Sequence, residues 1–338
     1  MEKTIRWGIM GAGAVIHRWI KGALQAEDSE IVAIASRHKE TAQAMAEVWD
    51  IPQVMTYDEL LACPDIDIVY IAVPHVGHKE LALRAMRAGK HVLLEKPATI
   101  NAGEFRELME CAKEQQVFLM EAVWTRFFPI IKRALEEIKK GRIGEVRSVE
   151  SSFAFRVAED DDSRLVKLEL AGGSLLDVGV YNLHFAHMIY GKSPVRVTGF
   201  ASMDTDAHHY QVDEQAAYIG QYDKGELALM MSAIRTETPQ SARIYGTEGY
   251  MELPIFWKPT RLEIVNGDKK EVIELPVAQK IEGLEDEGYQ YEVRHVNGCI
   301  RKDLKESDVM PWQTTLEILT QMDQLRQEWG LVFPQEIR

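Results

Sequence analysis

Cysteine is nearly absent. The 338 residues hold three, Cys63, Cys111 and Cys299, and they stand far apart. No pair has the close spacing of a zinc site, and three scattered thiols make no disulfide framework. A reducing, cytoplasmic setting is the expectation that follows. Long apolar runs are missing as well. None reaches the ~20 residues of a membrane-spanning helix, so no membrane partner is expected. The chain begins Met1-Glu2-Lys3 and enters a strand pattern at once, without a secretory signal pattern. Positive charge is in deficit, with 39 Lys+Arg against 53 Asp+Glu and a formal net charge of −14. A field of that sign repels phosphate backbones and argues against nucleic acid. Any anionic cofactor must therefore be held by local geometry. Repeats and low-complexity linkers are lacking too, and the length suggests two domains.

What is present begins with His91-Val92-Leu93-Leu94-Glu95-Lys96-Pro97. This reads as a buried parallel strand stopped by a proline, which donates no N–H and holds Lys96 extended. Ligands of open parallel sheets sit beyond the carboxyl ends of the strands, which places Lys96 where chemistry is done. Upstream, Thr4–Met10 is a short strand run followed by Gly11-Ala12-Gly13-Ala14-Val15-Ile16 and a helical pattern to Ala26. Gly11 permits the turn. Gly13, Ala14 and Val15 bring a helix N-terminus against a pyrophosphate. Ile16 replaces the small third residue of the fingerprint, which implies a wider helix–strand contact. The second strand, Ile31–Ala35, ends in Ser36-Arg37 where NAD-binding chains carry an acid. A hydroxyl beside a guanidinium suits a 2′-phosphate, so NADP is expected and NAD remains possible.

The alternation continues through helix Lys39–Asp50, strand Gln53–Thr56, helix Tyr57–Ala62, strand Ile68–Val73, helix Lys79–Ala88, a helix from Asn101 to Gln115 and strand Val117–Ala122. It predicts an α/β class with a doubly wound parallel (Rossmann) sheet. Pro74, His75 and His78 at one strand end, with Glu95 and Lys96 at the next, complete the expected cofactor-facing set. His75 and His78 lack a third nearby ligand, so no metal is expected there.

Farther on, Gly172-Gly173 opens an apolar helical run to Tyr190, with Asp177 and Tyr181 at i, i+4 on one face. A carboxylate in such a run is hydrogen-bonded or functional. His184 and His187 read as core or cofactor-lining imidazoles. Trp124 and Arg126 follow the last strand of the first half, at the junction of domains 1–124 and 125–338. Phe153, Phe155 and Arg156 end a strand from Val146, and an aromatic wall suits a ring substrate. Glu159-Asp160-Asp161-Asp162 reads as a solvated loop, not a calcium site, and His208-His209 as another polar loop. Short strands are expected at Val195–Ala201, Gln215–Tyr222, Leu227–Ile234, Ala242–Tyr245 and Arg261–Val265, then helices at Tyr289–Lys302 and Trp312–Trp329.

Gly11-x-Gly13, Glu95-Lys96-Pro97 and Asp177-Val178-Gly179-Val180-Tyr181 together resemble the glucose–fructose oxidoreductase / inositol dehydrogenase family. Leu119-Met120-Glu121-Ala122-Val123-Trp124-Thr125-Arg126-Phe127-Phe128-Pro129, Gly172 to Tyr181 and the tail from Tyr291 to Gln335 are closest to its dimeric dihydrodiol dehydrogenase / NADP-dependent D-xylose dehydrogenase branch. The resemblance implies a nicotinamide-binding domain followed by an α+β domain with a large open mixed sheet, one face of which commonly makes a homodimer. It implies metal-independent transfer of hydride between a ring carbinol of a sugar or cyclic diol and the cofactor. The family's catalytic lysine falls on Lys96, in a Lys-Pro bond often cis, and its substrate-binding aspartate on Asp177. Tyr181 stands where many relatives carry histidine. A tyrosine with a pKa of about 10 is a poor base alone, and an ammonium beside it favours phenolate. Tyr181 would move the proton with Lys96 assisting, or a neutral Lys96 would do so itself. A reductase running the same residues in reverse, in the manner of anhydrofructose reductase, is one alternative. A non-catalytic dinucleotide-sensing regulator is another, opposed by the joint presence of Lys96, Asp177 and Tyr181.

Overall fold

Short β-branched runs separated by amphipathic helices can bury their apolar surface only by layering helices on both faces of a parallel sheet. The computed structural model, which describes residues 3–158, 162–203 and 211–337, contains that arrangement. Strands β1 (Ile5–Met10), β2 (Ser29–Ala35), β3 (Gln53–Met55), β4 (Ile68–Ile71), β5 (His91–Glu95) and β6 (Leu119–Ala122) alternate with helices α1 (Ala14–Gln25), α2 (Lys39–Trp49), α3 (Tyr57–Ala62), α4 (His78–Arg87) and α5 (Ala102–Gln115). The sheet is wholly parallel, in the order β3-β2-β1-β4-β5-β6. Strand order reverses between β1 and β4, the switch point beyond whose carboxyl ends open α/β sheets bind their ligands.

The second sheet begins after α6 (Pro129–Lys139) and has eight strands. They are β7 (Val146–Ala154), β8 (Arg196–Ser202), β9 (Gln215–Gln221), β10 (Leu227–Ala233), β11 (Ala242–Gly246), β12 (Tyr250–Leu253), β13 (Arg261–Asn266) and β14 (Lys269–Glu274), in the order β14-β13-β12-β11-β7-β10-β9-β8. Only the β7–β10 pair is parallel, so the sheet is mixed. Helix α7 (Val180–Tyr190), buried from Val180 to Ala186, packs on one face against β7 and β10. The other face alternates outward. Phe200, Ile219, Leu227 and Leu229 are exposed on β8, β9 and β10, whereas Arg243 pairs across from Glu150 and Glu252 on the strands beyond. The edge strand β8 is guarded, because Glu328 accepts from Gly199 N at 3.3 Å and Trp329 Nε1 donates to Gly199 O at 3.0 Å.

The chain forms two compact units. The first is Met1–Phe127 with Val277–Leu316, and so includes α8 (Tyr289–Arg301). The second is Phe128–Pro276 with Glu317–Arg338, and the helix α9 (Trp312–Trp329) begins in the one segment and ends in the other. Helix α8 lies tight on α1, since a Cβ on Gly22 would fall 2.4 Å from Tyr289 Cβ. Helices α3, α5 and α9 have the bounds their patterns predict. Elements α6, β12 and β14 carry no expectation from sequence. Strand β7 ends at Ala154, short of Phe155 and Arg156; Arg156 instead makes an isolated bridge to Arg235. Asp162 pairs with Lys167 at 2.8 Å, while Glu159, Asp160, Asp161, His208 and His209 lie outside the described residues. Among the described residues no helix is long and apolar enough to cross a membrane.

Candidate functional site

In the first unit the glycine turn sits at the switch point. Gly11 has φ +125°, and a Cβ there would lie 2.2 Å from Ala72 O, so only glycine lets the turn pass the end of β4. Gly13 differs, because a Cβ there meets no protein atom within 4 Å. Gly13 and Ala14 are exposed at the start of α1, Val15 is half-buried and Ile16 is fully buried. Gly13 caps α1 without a side-chain hydrogen bond, and α1 has no acid in its first turn. Helices α2, α3, α4 and α5 all carry Asp or Glu there. The one helix of this sheet that faces the crevice with open N–H groups and no competing carboxylate fits a dinucleotide pyrophosphate. Ser36 follows β2, its hydroxyl 3.2 Å from Thr41 Oγ1, and Arg37 is exposed beside it. The Arg37 backbone bonds the Tyr57 phenol, whose pKa is raised by burial. Ser36 and Arg37 thus line the end of β2, where an adenosine ribose and its 2′ substituent would be held.

The backbone around Lys96 is fixed from several sides. The Lys96–Pro97 bond is cis. Glu95 Oε2 accepts from Lys96 N at 3.2 Å, and buried Glu121 accepts from Ala98 N at 3.0 Å. His78 is fully buried, with Nδ1 2.9 Å from Pro97 O and Nε2 2.9 Å from Val73 O. His78 opens α4, and its ring nitrogens point to backbone carbonyls instead of outward to a cofactor. Pro74 leads into the short turn His75–Gly77, where His75 is buried with its ring 5.8 Å from that of His78. Tyr70 Oη donates to Glu95 Oε1 at 2.5 Å. Glu292 of α8, both of whose oxygens are buried without a hydrogen-bond partner, is pushed well above the carboxylate range by burial and then by Glu95.

Trp124 and Arg126 lie in the turn Trp124–Phe127. Trp124 is buried, stacked on Tyr289 at 4.0 Å with Arg18 5.4 Å from its centroid, so it packs the interior of its unit. Burial pushes the Arg126 guanidinium down to about 10, opposed by Glu121, and it stays charged at neutral pH.

In the second unit the run after Gly172-Gly173 is not uniformly α-helical. Leu175–Gly179 is a π-helix, closed by Val180 N bonding Leu175 O, and α7 follows without a break. The wider turn alters the i, i+4 alignment assumed for Asp177 and Tyr181. Two strands hold the π segment. At its start Asp213 Oδ2 accepts from Leu175 N at 2.6 Å and from Ser174 Oγ at 2.9 Å, and Ser174 Oγ lies 3.0 Å from Ser232 Oγ on β10. At its end Tyr218 Oη of β9 donates to Gly179 O at 3.3 Å. Asp177 Oδ1 accepts from Arg164 Nη2 at 2.8 Å. Tyr181 is buried with its ring 5.3 Å from Phe153, and Phe153 stacks on Trp257 at 5.1 Å. His184 is buried, and His187 sits 3.1 Å from Glu317. Among the described residues no group of three His, Cys, Asp or Glu side chains is placed to hold a metal.

Trp257, Arg164, Asp213, Glu121 and Glu292 stand beside the candidate residues, and the sequence assigns none of them a role. Lone buried acids near strand ends were the available signal for Asp213 and Glu121.

Comparison with known proteins covers both units. Residues 5–123 match the model of an oxidoreductase family with an NAD-binding Rossmann fold, and residues 131–252 match the GFO/IDH/MocA C-terminal domain. A mouse trans-1,2-dihydrobenzene-1,2-diol dehydrogenase is 33% identical over 99% of this chain and 100% of its own. Its Xenopus tropicalis counterpart is 35% identical over 97% of this chain and 99% of its own. The 3-ketoreductase KijD10 of Actinomadura kijaniata, solved with NADP and TDP-benzene, superposes with a TM-score of 0.86 at 26% identity, covering 97% of this chain and 98% of its own.

Asp213 gives a pH test. Burial raises its carboxyl to about 7, against the opposing hydrogen bonds from Leu175 and Ser174 and the charge of Arg326. An acid whose folded pKa is raised holds its proton in the native state between the unfolded and folded values. Its contribution to stability is therefore complete below about pH 4 and lost as pH rises through about 7. Asp213→Asn cannot ionise, so its stability relative to wild type should rise with pH across that window. Urea titrations at several pH values check this, and a flat difference overturns it.

Proposed function

The chain belongs to the GFO/IDH/MocA oxidoreductase family and is an NAD(P)-dependent dehydrogenase of the sugar- and diol-oxidising class; from this we propose how its own residues carry the reaction. The α1 N-terminus, with the backbone of Gly11, Gly13, Ala14 and Val15, would hold the dinucleotide. The turn from Pro74 through His75 and His78, with Glu95 and Lys96, borders its nicotinamide end. Ser36 and Arg37 select NADP, because no carboxylate repels a 2′-phosphate and a guanidinium can grip it. When bound, the nicotinamide supplies the hydride acceptor. Residues 1–124 serve the cofactor, and 125–338, apart from the segment Val277–Leu316 that is compact with the first unit, serve the substrate and the subunit interface.

Tyr181 takes the proton of the reacting hydroxyl, and the Lys96 ammonium favours its phenolate form. Asp177 accepts a hydrogen bond from a neighbouring substrate hydroxyl. Phe153 offers an aromatic face to the ring, with Trp257 stacked behind it, and Arg126 and Trp124 support the substrate side of the first unit. The observation that carries this reading is the corner after β5, where Glu95, His78 and Glu121 fix the backbone on both sides of Lys96. That support holds the base of a flexible lysine stem in one place. The substrate is a small-molecule sugar or cyclic trans-diol, and the setting is the cytoplasm, in keeping with the free thiols of Cys63, Cys111 and Cys299.

The protein assembles as a homodimer through the outer face of the second sheet. Phe200 is 87% exposed there, and Ile219 pairs across from Leu229 in the same apolar half. Such a patch on a charged protein marks an association surface.

Three outcomes test these assignments. With NADP and a screen of aldoses, inositols and trans-diols, Tyr181→Phe should lower kcat about 10²–10⁴-fold while binding NADP normally. A near-normal kcat removes Tyr181 from the proton step. Arg37→Ala should raise KM for NADP about ten- to hundredfold and leave KM for NAD little changed, and equal effects on both cofactors overturn the 2′-phosphate role. Phe200→Asp with Leu229→Asp should convert a dimer to a monomer by light scattering, and an unchanged mass places the interface elsewhere.

A further inference from the structure

Gln240, between β10 and β11, stands at φ +58°, a left-handed conformation that glycine and asparagine enter far more readily than glutamine. Such a conformation persists only where the surroundings over-determine it, and residues of this kind gather at binding and active sites. Every polar group of Gln240 is engaged. Its N–H donates to Thr238 Oγ1 at 3.4 Å, and its carbonyl accepts from Phe256 N at 3.1 Å. The side chain reaches two further segments. Nε2 donates at 3.2 Å to Ala154 O, the carbonyl next to Phe153, and Oε1 accepts from Trp257 Nε1 at 2.8 Å. Chemistry fixes the orientation of that amide, because an indole N–H only donates and a carbonyl only accepts.

One planar amide thus grips the supports of a stacked pair. The rings of Phe153 and Trp257 lie 5.1 Å apart, 19° from parallel. Phe153 is wedged by Tyr181 at 5.3 Å and, edge on, by the buried Phe256 at 6.1 Å. Trp257 is only half-buried, with Lys258 Nζ 4.9 Å from its centroid on the outside. An indole in that position turns about two side-chain torsions unless its N–H is held. Asparagine suits the backbone of residue 240 better, but it is one methylene shorter and cannot make the same two side-chain bonds from the same main chain. We propose that Gln240 is a positioning residue for substrate binding, which fixes Trp257 against Phe153 and so shapes an aromatic wall that favours ring substrates over open-chain ones. This rests on the reading above in which that wall faces the substrate ring. The C–H face of a cyclic diol or pyranose lies flat on an aromatic surface, and a tilted indole forfeits contact area. An open-chain diol presents no flat face, so it gains less from the wall and loses less without it. Gln240 touches no reacting atom, and no bond is made or broken there.

The test uses Gln240→Asn and Gln240→Gly, which both suit a left-handed backbone, and thermal unfolding checks that the fold persists. With NADP, trans-cyclohexane-1,2-diol is compared with butane-2,3-diol, which keeps both hydroxyls and lacks the ring. In each variant KM for the cyclic diol should rise about tenfold, with kcat changed less than about threefold and KM for NADP unmoved. The kcat/KM preference for the ring should fall by a similar factor. Gln240→Glu, which keeps an acceptor for the indole, should recover part of it. In protein carrying 15N-tryptophan, Trp257 gives the one of seven indole N–H signals that Trp257→Phe removes. That proton should exchange with water at least about tenfold faster in Gln240→Asn. An unmoved indole signal overturns the inference. So does lowered stability with the ring preference intact, when Trp257→Ala does raise KM for the cyclic diol. Failure of the underlying reading looks different. Trp257→Ala with normal KM shows that the wall does not face the substrate. Wild type that oxidises neither diol refutes the diol reading, and the indole signal then still decides whether Gln240 holds Trp257.

Discussion

A backbone amide that leaves a parallel strand loses its ladder partner, and at the carboxyl end of a buried strand no water replaces it. Beyond β5 that problem is solved by a buried carboxylate. Glu121, on the neighbouring strand β6, reaches the amide of Ala98 at 3.0 Å. His78 holds the carbonyl side of the same corner, and through Val73 it ties that corner to the end of β4. Lys96 thus sits on backbone whose polar groups on either side are already committed. A flexible lysine stem gains orientation only from such a base, because its own rotamer entropy opposes any single position.

The second unit uses the same device with different residues. A π-helix forgoes the regular α ladder, so its first amides need another acceptor. Asp213 provides one, coming from the residue stretch just before β9, and Tyr218 of β9 meets the carbonyl at the other end. Asp177 lies between these two anchors and Tyr181 two residues beyond the second. The cost is a carboxyl forced into an apolar surrounding, visible in its raised pKa. Both units spend a buried acid on backbone geometry one or two residues from the side chain that matters.

Much of the nucleotide unit is legible in the sequence because its signals are local. Gly11 announces a positive φ, Asn101 announces a cap that is present at 2.9 Å to Glu104 N, and apolar runs of strand length alternate with helical periods. The second site half is less legible. Spacing pairs Asp177 with Tyr181 at an α period, but Leu175–Gly179 is a π turn, which leaves no mark in residue type. Arg164 stands only 13 residues before Asp177, whereas Asp213 and Trp257 come from later segments, and nothing in their neighbourhoods signals these contacts. The segment Val277–Leu316 is compact with the first unit through contacts such as Trp7 Nε1 with Asn297 Oδ1 at 3.2 Å, a pairing 290 residues apart. Strand β14 shows almost no buried face, so its pattern gives no strand signal.

Charge explains why the cofactor half needs its geometry. A protein of net charge −14 repels a dinucleotide at long range, and salt screens that repulsion beyond about 8–10 Å. Binding is then decided within one helical turn. There the exposed amides of α1 act with the positive end of the helix dipole, and the first turn carries no carboxylate to oppose them. The neighbouring helices have acids in the same place, where they stabilise their own termini and would repel a phosphate. Leaving α1 without one forgoes some helix stability and creates a local anion site inside an unfavourable field. The same reasoning bears on the sugar or diol side. A neutral substrate feels no net field, so selectivity there comes from fixed donors and acceptors at close range, not from steering.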